Sequence, residues 1–196
     1  MLRITSGILR NIRIDSPDSK NTRPTLEKIR QAIFNVLRNQ LPLENCKVLD
    51  LFAGSGAYGF ESASNGASSV HFFESNKVAM GILKKNIQTI EKHFASQQLE
   101  VPTFQIHFGD ALRLYQKIDS ADLIFLDPPY EAAQTVWSKF YEHETARPVC
   151  RPNGFVVFET DENTILDAFP LGGKSVFRLL DRKIYSDSAV HFFVKQ

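Results

Sequence analysis

Four consecutive residues, Asp127, Pro128, Pro129 and Tyr130, follow the apolar run Ala121-Asp122-Leu123-Ile124-Phe125-Leu126 and combine groups suited to holding a planar amine. Proline lacks an N–H, fixes its own φ and pushes the preceding residue into extended geometry, so the turn is stiff. Stiffness keeps two acceptors, the Asp127 carboxylate and the Pro128 carbonyl, beside an aromatic ring able to stack. A nucleobase carrying an NH2 fits that arrangement. Its amine is a poor nucleophile because the lone pair is delocalised into the ring. Two acceptors on its hydrogens favour pyramidalisation and aim the lone pair at a methyl donor. An ionised Asp only accepts, and its bonds to a nitrogen gaining positive charge are charge-assisted. Such bonds strengthen as charge develops, so they favour the transition state over the ground state. Tyr130 would hold the base by stacking, and the base must be unpaired or flipped out to reach such a pocket. The plainer reading is a strand-ending turn with an incidental acid and ring, and context decides between them.

Three further sites stand at the ends of apolar runs. Asp50-Leu51-Phe52-Ala53-Gly54-Ser55-Gly56-Ala57-Tyr58-Gly59 spells G-x-G-x-x-G between a strand and a helix, so backbone can approach a ligand at a helix N-terminus. A dinucleotide is the obvious guest. Asp50 argues against two phosphates there and suits a cationic guest, such as the amino or sulfonium group of S-adenosyl-L-methionine. Glu74, after Val70-His71-Phe72-Phe73, can accept from both hydroxyls of a ribose, or it merely precedes a helix capped by Ser75 or Asn76. Asp110 can accept from an adenine amine, or it is only the N-cap of the next helix. No Cys–His or Ser–His arrangement suggests a covalent nucleophile.

The elements that position these groups follow from periodicity. Lys47 onward alternates strands and helices: strands near 48–51, 69–73, 104–108, 123–126 and 154–158, with helices to about Asn65, over 76–94, after Asp110 and over 132–146. Two more β-rich runs, 176–184 and 189–194, are joined by Ser186-Asp187-Ser188 without a helix. The pattern predicts a Rossmann-like α/β fold, a mainly parallel seven-stranded sheet with an antiparallel partner at its end. Ligands in such sheets bind beyond the carboxyl ends of the strands, where all four sites fall. Ahead of this unit, residues 2–14 alternate (Leu2, Ile4, Ile8, Ile12 and Ile14 apolar) around Gly7 and read as a short hairpin or arm. Thr25 is the expected cap of a helix carrying Ile29, Ala32, Ile33, Val36 and Leu37, and Pro42 closes the segment. The chain thus divides into a basic N-terminal segment, 1–42, and a catalytic domain, 43–196.

Composition sets the class. With 196 residues, 43% of them hydrophobic and 23% charged, the chain is one ordinary globular domain with a small appendage. No stretch approaches the roughly eighteen apolar residues of a membrane span, and the first residues lack the apolar core of a signal peptide. Cys46 and Cys150 stand in no metal or redox spacing and read as buried thiols of a cytoplasmic protein. The five histidines form no pair at ligand spacing, so no metal is expected. Net charge is +1, yet residues 1–38 carry +5 and the rest −4. That imbalance suggests contact with a polyanion through the N-terminal segment.

On these residues the chain resembles the RsmD family of bacterial methyltransferases over nearly its whole length. The matching stretches are Arg3-Ile4 with Gly7 and Arg10, Arg23-Pro24-Thr25 with Ile29-Arg30-Gln31-Ala32-Ile33-Phe34-Asn35-Val36-Leu37, Phe52 to Gly59, and Asp127 to Tyr130. Arg-Pro-Thr ahead of its helix is the most family-specific piece. The resemblance implies an S-adenosylmethionine-dependent enzyme that methylates a guanine N2 in 16S ribosomal RNA, within an assembling or assembled small subunit. It implies a cofactor held by Asp50, Phe52, Ala53, Gly54, Gly56, Glu74, Asp110 and Ala111, with Thr25 completing the site from the N-terminal segment. It also implies RNA contacts through Arg3, Arg10, Arg13 and Arg23, catalysis by Asp127 to Tyr130, and action as a monomer. Three positions depart from the family pattern: Asn76, where an Asp is usual, Ser186 after Tyr185, and Ser6 beside Gly7. The rival with the same catalytic motif is an adenine-N6 DNA methyltransferase. Such enzymes commonly add a domain to read sequence, and here the sheet and arm consume the chain. A protein-glutamine methyltransferase would more typically carry Asn at position 127. An RNA-binding assembly factor with a vestigial site would not need every polar group intact.

Overall fold

The computed structural model describes residues 1–17, 23–164, 166 and 175–196. Two short strands, β1 (Leu2–Arg3) and β2 (Arg13–Ile14), pair antiparallel, as the alternation around Gly7 anticipates. Helix α1 (Arg23–Gln40) starts two residues before Thr25, with Pro24 in its first turn, so Thr25 is not its cap. The side chains of Arg23 and Thr25 lie outside the described residues. On α1 the buried positions are Ile29, Ile33, Phe34 and Leu37, one stripe at helical spacing.

The body runs β3 (Lys47–Asp50), α2 (Ala57–Ser64), β4 (Ser69–Glu74), α3 (Lys77–Ser96), β5 (Thr103–Phe108), α4 (Ala111–Leu114), β6 (Ala121–Leu126), α5 (Ala133–Ala146), β7 (Cys150–Asp161), β8 (Phe177–Tyr185) and β9 (Ser188–Lys195). Seven strands form one sheet in the order β5-β4-β3-β6-β7-β9-β8. Strands connected through helices pair in parallel, and β9 runs antiparallel between β7 and β8. Strand order reverses between β3 and β6, which opens the crevice at that end of the sheet.

The pleat sorts the core into two layers. Val48, Phe72, Leu123 and Phe125 point into a cluster with α1, α2, α3 and the N-terminal hairpin. Leu49, Phe73, Ile124 and Phe158 point to the other face, under α4 and α5. Leu2, Ile4, Leu9 and Ile14 belong to the first cluster, so the hairpin is docked rather than projecting. Ile8, read as inward by alternation, is instead 49% exposed, and Leu9 takes the buried place. Gly7 explains the slip. Its φ of +73° turns the chain, and a Cβ there would stand 1.9 Å from the Ser64 carbonyl oxygen. Both cysteines are free and buried. Among the described residues, no helix is long and apolar enough to cross a membrane.

Candidate active site

A cleft of about 830 Å³ lies across the carboxyl ends of β3, β4, β5 and β6. Phe52 and Gly54 line it from the glycine loop, Glu74, Ser75 and Asn76 from β4 and its turn, and Gly109, Asp110 and Ala111 from the β5 turn. Asp127, Pro128, Pro129 and Tyr130 complete the wall. Residues far apart in the chain therefore converge because each ends a parallel strand at one sheet edge.

Glu74 is held from two sides. Gly54 N–H donates to its Oε2 at 2.8 Å and Asn76 N–H to its Oε1 at 2.6 Å, which fixes the carboxylate at the cleft wall. Each oxygen keeps a second lone pair, as two ribose hydroxyls require. Asn76 itself caps α3, accepting from Val78 N–H at 2.8 Å and Ala79 N–H at 3.1 Å. The Asn for Asp departure thus leaves the cap in place. Asp110 caps α4 through Leu112 N–H at 2.9 Å and also lines the cleft.

Asp50, Ala53 and Gly56 stand behind the wall. Asp50 is 1% exposed and accepts from Gly59 N–H at 3.1 Å, tying the first turn of α2 to the end of β3. Burial, with Glu74 nearby, pushes its carboxyl up to about 7 against the pull of the Gly59 bond. Gly56, at φ +82°, lets the loop enter α2 without a side-chain cap. Gly59 must be glycine for packing: a Cβ would meet the Phe72 ring at 2.2 Å. The cleft wall holds three carboxylates and neither Lys nor Arg, which disfavours a pyrophosphate and favours a ligand with hydroxyls, an amine and positive charge. S-adenosylmethionine fits that donor set.

At the fourth site the backbone enters a single turn after Pro129, and Tyr130 is 42% exposed with its face available for stacking. Its hydroxyl lies 2.6 Å from Ser188 Oγ on β9. Burial, then Glu159, then Asp50 push the Asp127 carboxyl well above its ordinary range. Glu159, Ser188 and Tyr58 were missed by sequence reading. Tyr58 donates to Glu159 Oε2 at 2.6 Å and stacks on Phe125, centroids 4.9 Å apart. A signal existed: Glu159 directly follows the apolar run Phe155–Phe158, as Asp50, Glu74 and Asp127 follow theirs.

Arg3, Arg10 and Arg13 are exposed on the hairpin. Arg30, counted with the basic segment, is not surface charge: it is 3% exposed and paired with Glu61, Nε to Oε2 3.2 Å. Glu61 also accepts from Thr5 N–H at 2.9 Å, Thr5 Oγ1 at 2.8 Å and Ser6 Oγ at 2.6 Å, so Ser6 has a specific partner. His71 Nδ1 and His107 Nε2 meet at 3.0 Å between β4 and β5, a pair the linear spacing conceals. Burial lowers both, His71 to about 4. No group of three metal-ligating side chains occurs among the described residues.

Comparison with known proteins agrees with this geometry. A family model described as conserved hypothetical protein 95 matches residues 2–194. The chain is 33% identical to the Haemophilus influenzae ribosomal RNA small subunit methyltransferase D, covering 83% of this chain and 80% of that one. A conserved hypothetical protein of Streptococcus pyogenes is 30% identical with TM-score 0.70, covering 85% of this chain and 95% of that one. A hypothetical protein of Thermus thermophilus shares the fold at TM-score 0.73 and 22% identity, covering 98% of each chain. The carboxylate-lined cleft, the Asp-Pro-Pro-Tyr turn and a family match spanning nearly every residue place this chain in the RsmD family of methyltransferases.

Proposed function

We propose that the protein transfers a methyl group from S-adenosylmethionine to the exocyclic N2 amine of a guanine in 16S ribosomal RNA of the small subunit. The coarser part, methyl transfer to small-subunit ribosomal RNA, follows from membership of the family. The Asp127–Tyr130 turn, standing on the same cleft as Glu74 and Asp110, supports an exocyclic amine as the acceptor, and the choice of guanine N2 rests on the family resemblance. When bound, S-adenosylmethionine supplies an electrophilic methyl group on a sulfonium. Glu74 accepts from ribose hydroxyls, and Asp110 accepts from the adenine amine. The ionised Asp127 carboxylate and the Pro128 carbonyl accept the two hydrogens of the guanine amine, and Tyr130 stacks on the base. Arg3, Arg10 and Arg13 supply phosphate contacts from the hairpin. The described walls of the cleft all come from one chain, which supports action as a monomer.

The test uses labelled cofactor with ribosomal RNA lacking the modification, with small subunits and with duplex DNA, each digested to nucleosides. Label is expected in N2-methylguanosine. Label in N6-methyladenosine, or only in DNA, overturns the assignment. Asp127→Ala should lower kcat by about a hundredfold or more, since the acceptor acts in the transition state. Its cofactor affinity should stay within about threefold of wild type, because Glu74 and Asp110 are intact. Joint collapse of affinity and turnover would place Asp127 in cofactor binding instead.

A further inference from the structure

Glu159 has no part in the transfer as described, yet it is only 5% exposed and stands at the catalytic turn. The parallel register pairs Leu126 with Phe158, so the next residues, Asp127 just past the end of β6 and Glu159 still within β7, stand at the same level. The Tyr58 hydroxyl donates to Glu159 Oε2 at 2.6 Å. Ser188 stands two residues along β9 from Val190, the register partner of Glu159, and its hydroxyl favours the charge on that carboxylate. Ser188 Oγ also lies 2.6 Å from the Tyr130 hydroxyl. A serine has one proton and a carboxylate has none to give, so Ser188 donates to Glu159 and accepts from Tyr130. A chain Tyr130–Ser188–Glu159 therefore fixes the phenol end of the stacking ring. Tyr58, braced on Phe125, fixes Glu159 from the other side.

We propose that Glu159 is a positioning residue for methyl transfer, clamping Tyr130 through Ser188 and standing as the second carboxyl beside Asp127. The inference rests on the methyltransferase reading above but not on the choice of base. Two carboxyls side by side at low dielectric resist double ionisation. Burial raises the Glu159 carboxyl as well, and the donors Tyr58 and Ser188 offset part of that rise. Asp127 then carries the raised affinity for a proton, with Asp50 of β3 adding to it. Tyr58, Tyr130 and Ser188 also face the pair, Asp161 acts on Tyr130, and Arg30 acts on Tyr58. Since Asp127 must be ionised to accept from the amine, Glu159 sets the acid limb of the pH–rate profile.

Two variants, Glu159→Gln and Ser188→Ala, test this. Carboxyl-carbon NMR would follow the Asp127 titration in the free protein, with Asp127→Asn used to assign its resonance. Expected for Glu159→Gln is an Asp127 midpoint lower by about one pH unit or more. Its acid limb of kcat should move down with that midpoint, and kcat at neutral pH should fall roughly tenfold. Ser188→Ala should raise KM for RNA and lower kcat severalfold, with Ser188→Thr restoring both. An unmoved midpoint in folded Glu159→Gln overturns the inference, as does wild-type kcat and KM in Ser188→Ala. If the wild-type enzyme left guanine unmethylated, the proposed function would fail while the Asp127 midpoint still decided the role of Glu159.

Discussion

Asp50 holds the glycine loop through Gly59, and a role in ligand binding would show in its ionisation. In the free protein burial pushes its carboxyl up to about 7. A bound cationic amine would favour the ionised form, so ligand affinity and ionisation are linked. Raising the pH toward the Asp50 value removes the proton that competes with the ligand. Cofactor affinity, measured by calorimetry between about pH 5.5 and pH 7, should therefore tighten roughly tenfold as pH rises. Asp50→Asn should bind more weakly and with a flat profile; a flat wild-type profile would leave Asp50 with only its structural role. At this scale the sequence was most informative where acids end apolar runs. Asp50, Glu74, Asp110 and Asp127 are legible that way, because a carboxylate leaving a buried strand is costly without a purpose. Glu159 was legible by the same rule and missed, whereas Ser188 and Tyr58 were not. A hydroxyl carries no directional signal until the strand beside it is known.

Helices and strands were legible wherever hydrophobic period was strong, and two boundaries moved for local reasons. Helix α1 begins at Arg23 because Pro24 suits a first turn. In the hairpin, Gly7 breaks the alternation and exchanges Ile8 for Leu9. What the pattern could not reveal is how the hairpin is fastened. Glu61 sits in the middle of α2 and is fully buried, with Arg30, Thr5 and Ser6 as partners. Removing its charge leaves Arg30 buried without a counter-ion, which costs about 3–5 kcal/mol. Glu61→Gln should accordingly lower the melting temperature by roughly 6–20 °C, taking about 2–4 °C per kcal/mol for a domain of this size. Limited trypsin digestion should then cut at Arg3, Arg10 or Arg13 before the body opens. A variant that melts and digests like wild type would mean that apolar packing alone secures the hairpin. The turn between β8 and β9 offers a milder case. Ser186 has φ +54°, where glycine is at ease. Ser186→Gly should stabilise by about 0.5–1 kcal/mol in chemical denaturation; a loss of stability would mean that the Ser186 hydroxyl bond to Asp187 outweighs backbone strain.

For the molecule as a whole, charge asymmetry is narrower than composition implies. The +5 of residues 1–38 includes Arg30, which is spent inside the protein. Among the described residues of that segment the exposed cations are Arg3, Arg10 and Arg13, on the hairpin that the Glu61 network ties to the body, and Lys28 and Arg38 on α1. Reversing Arg10 and Arg13 to Glu should weaken RNA binding most at low salt and flatten the salt dependence of affinity. Equal affinity and slope would remove the hairpin from the interface.

One feature of the sheet bears on how the enzyme comes into being. The strand β9 is last in the chain order yet lies inside the sheet, between β7 and β8, and it carries Ser188. Protein synthesis runs from the N-terminus at about 5–20 residues per second, and domains fold as their segments emerge. The residues that line the cleft end at Tyr130, so its parts exist well before Ser188 is made. Until β9 slides into place, the phenol of Tyr130 has no Ser188 to rest against. A chain still in the making therefore holds every lining residue of the cleft before it holds the Ser188 hydroxyl on which the Tyr130 phenol rests.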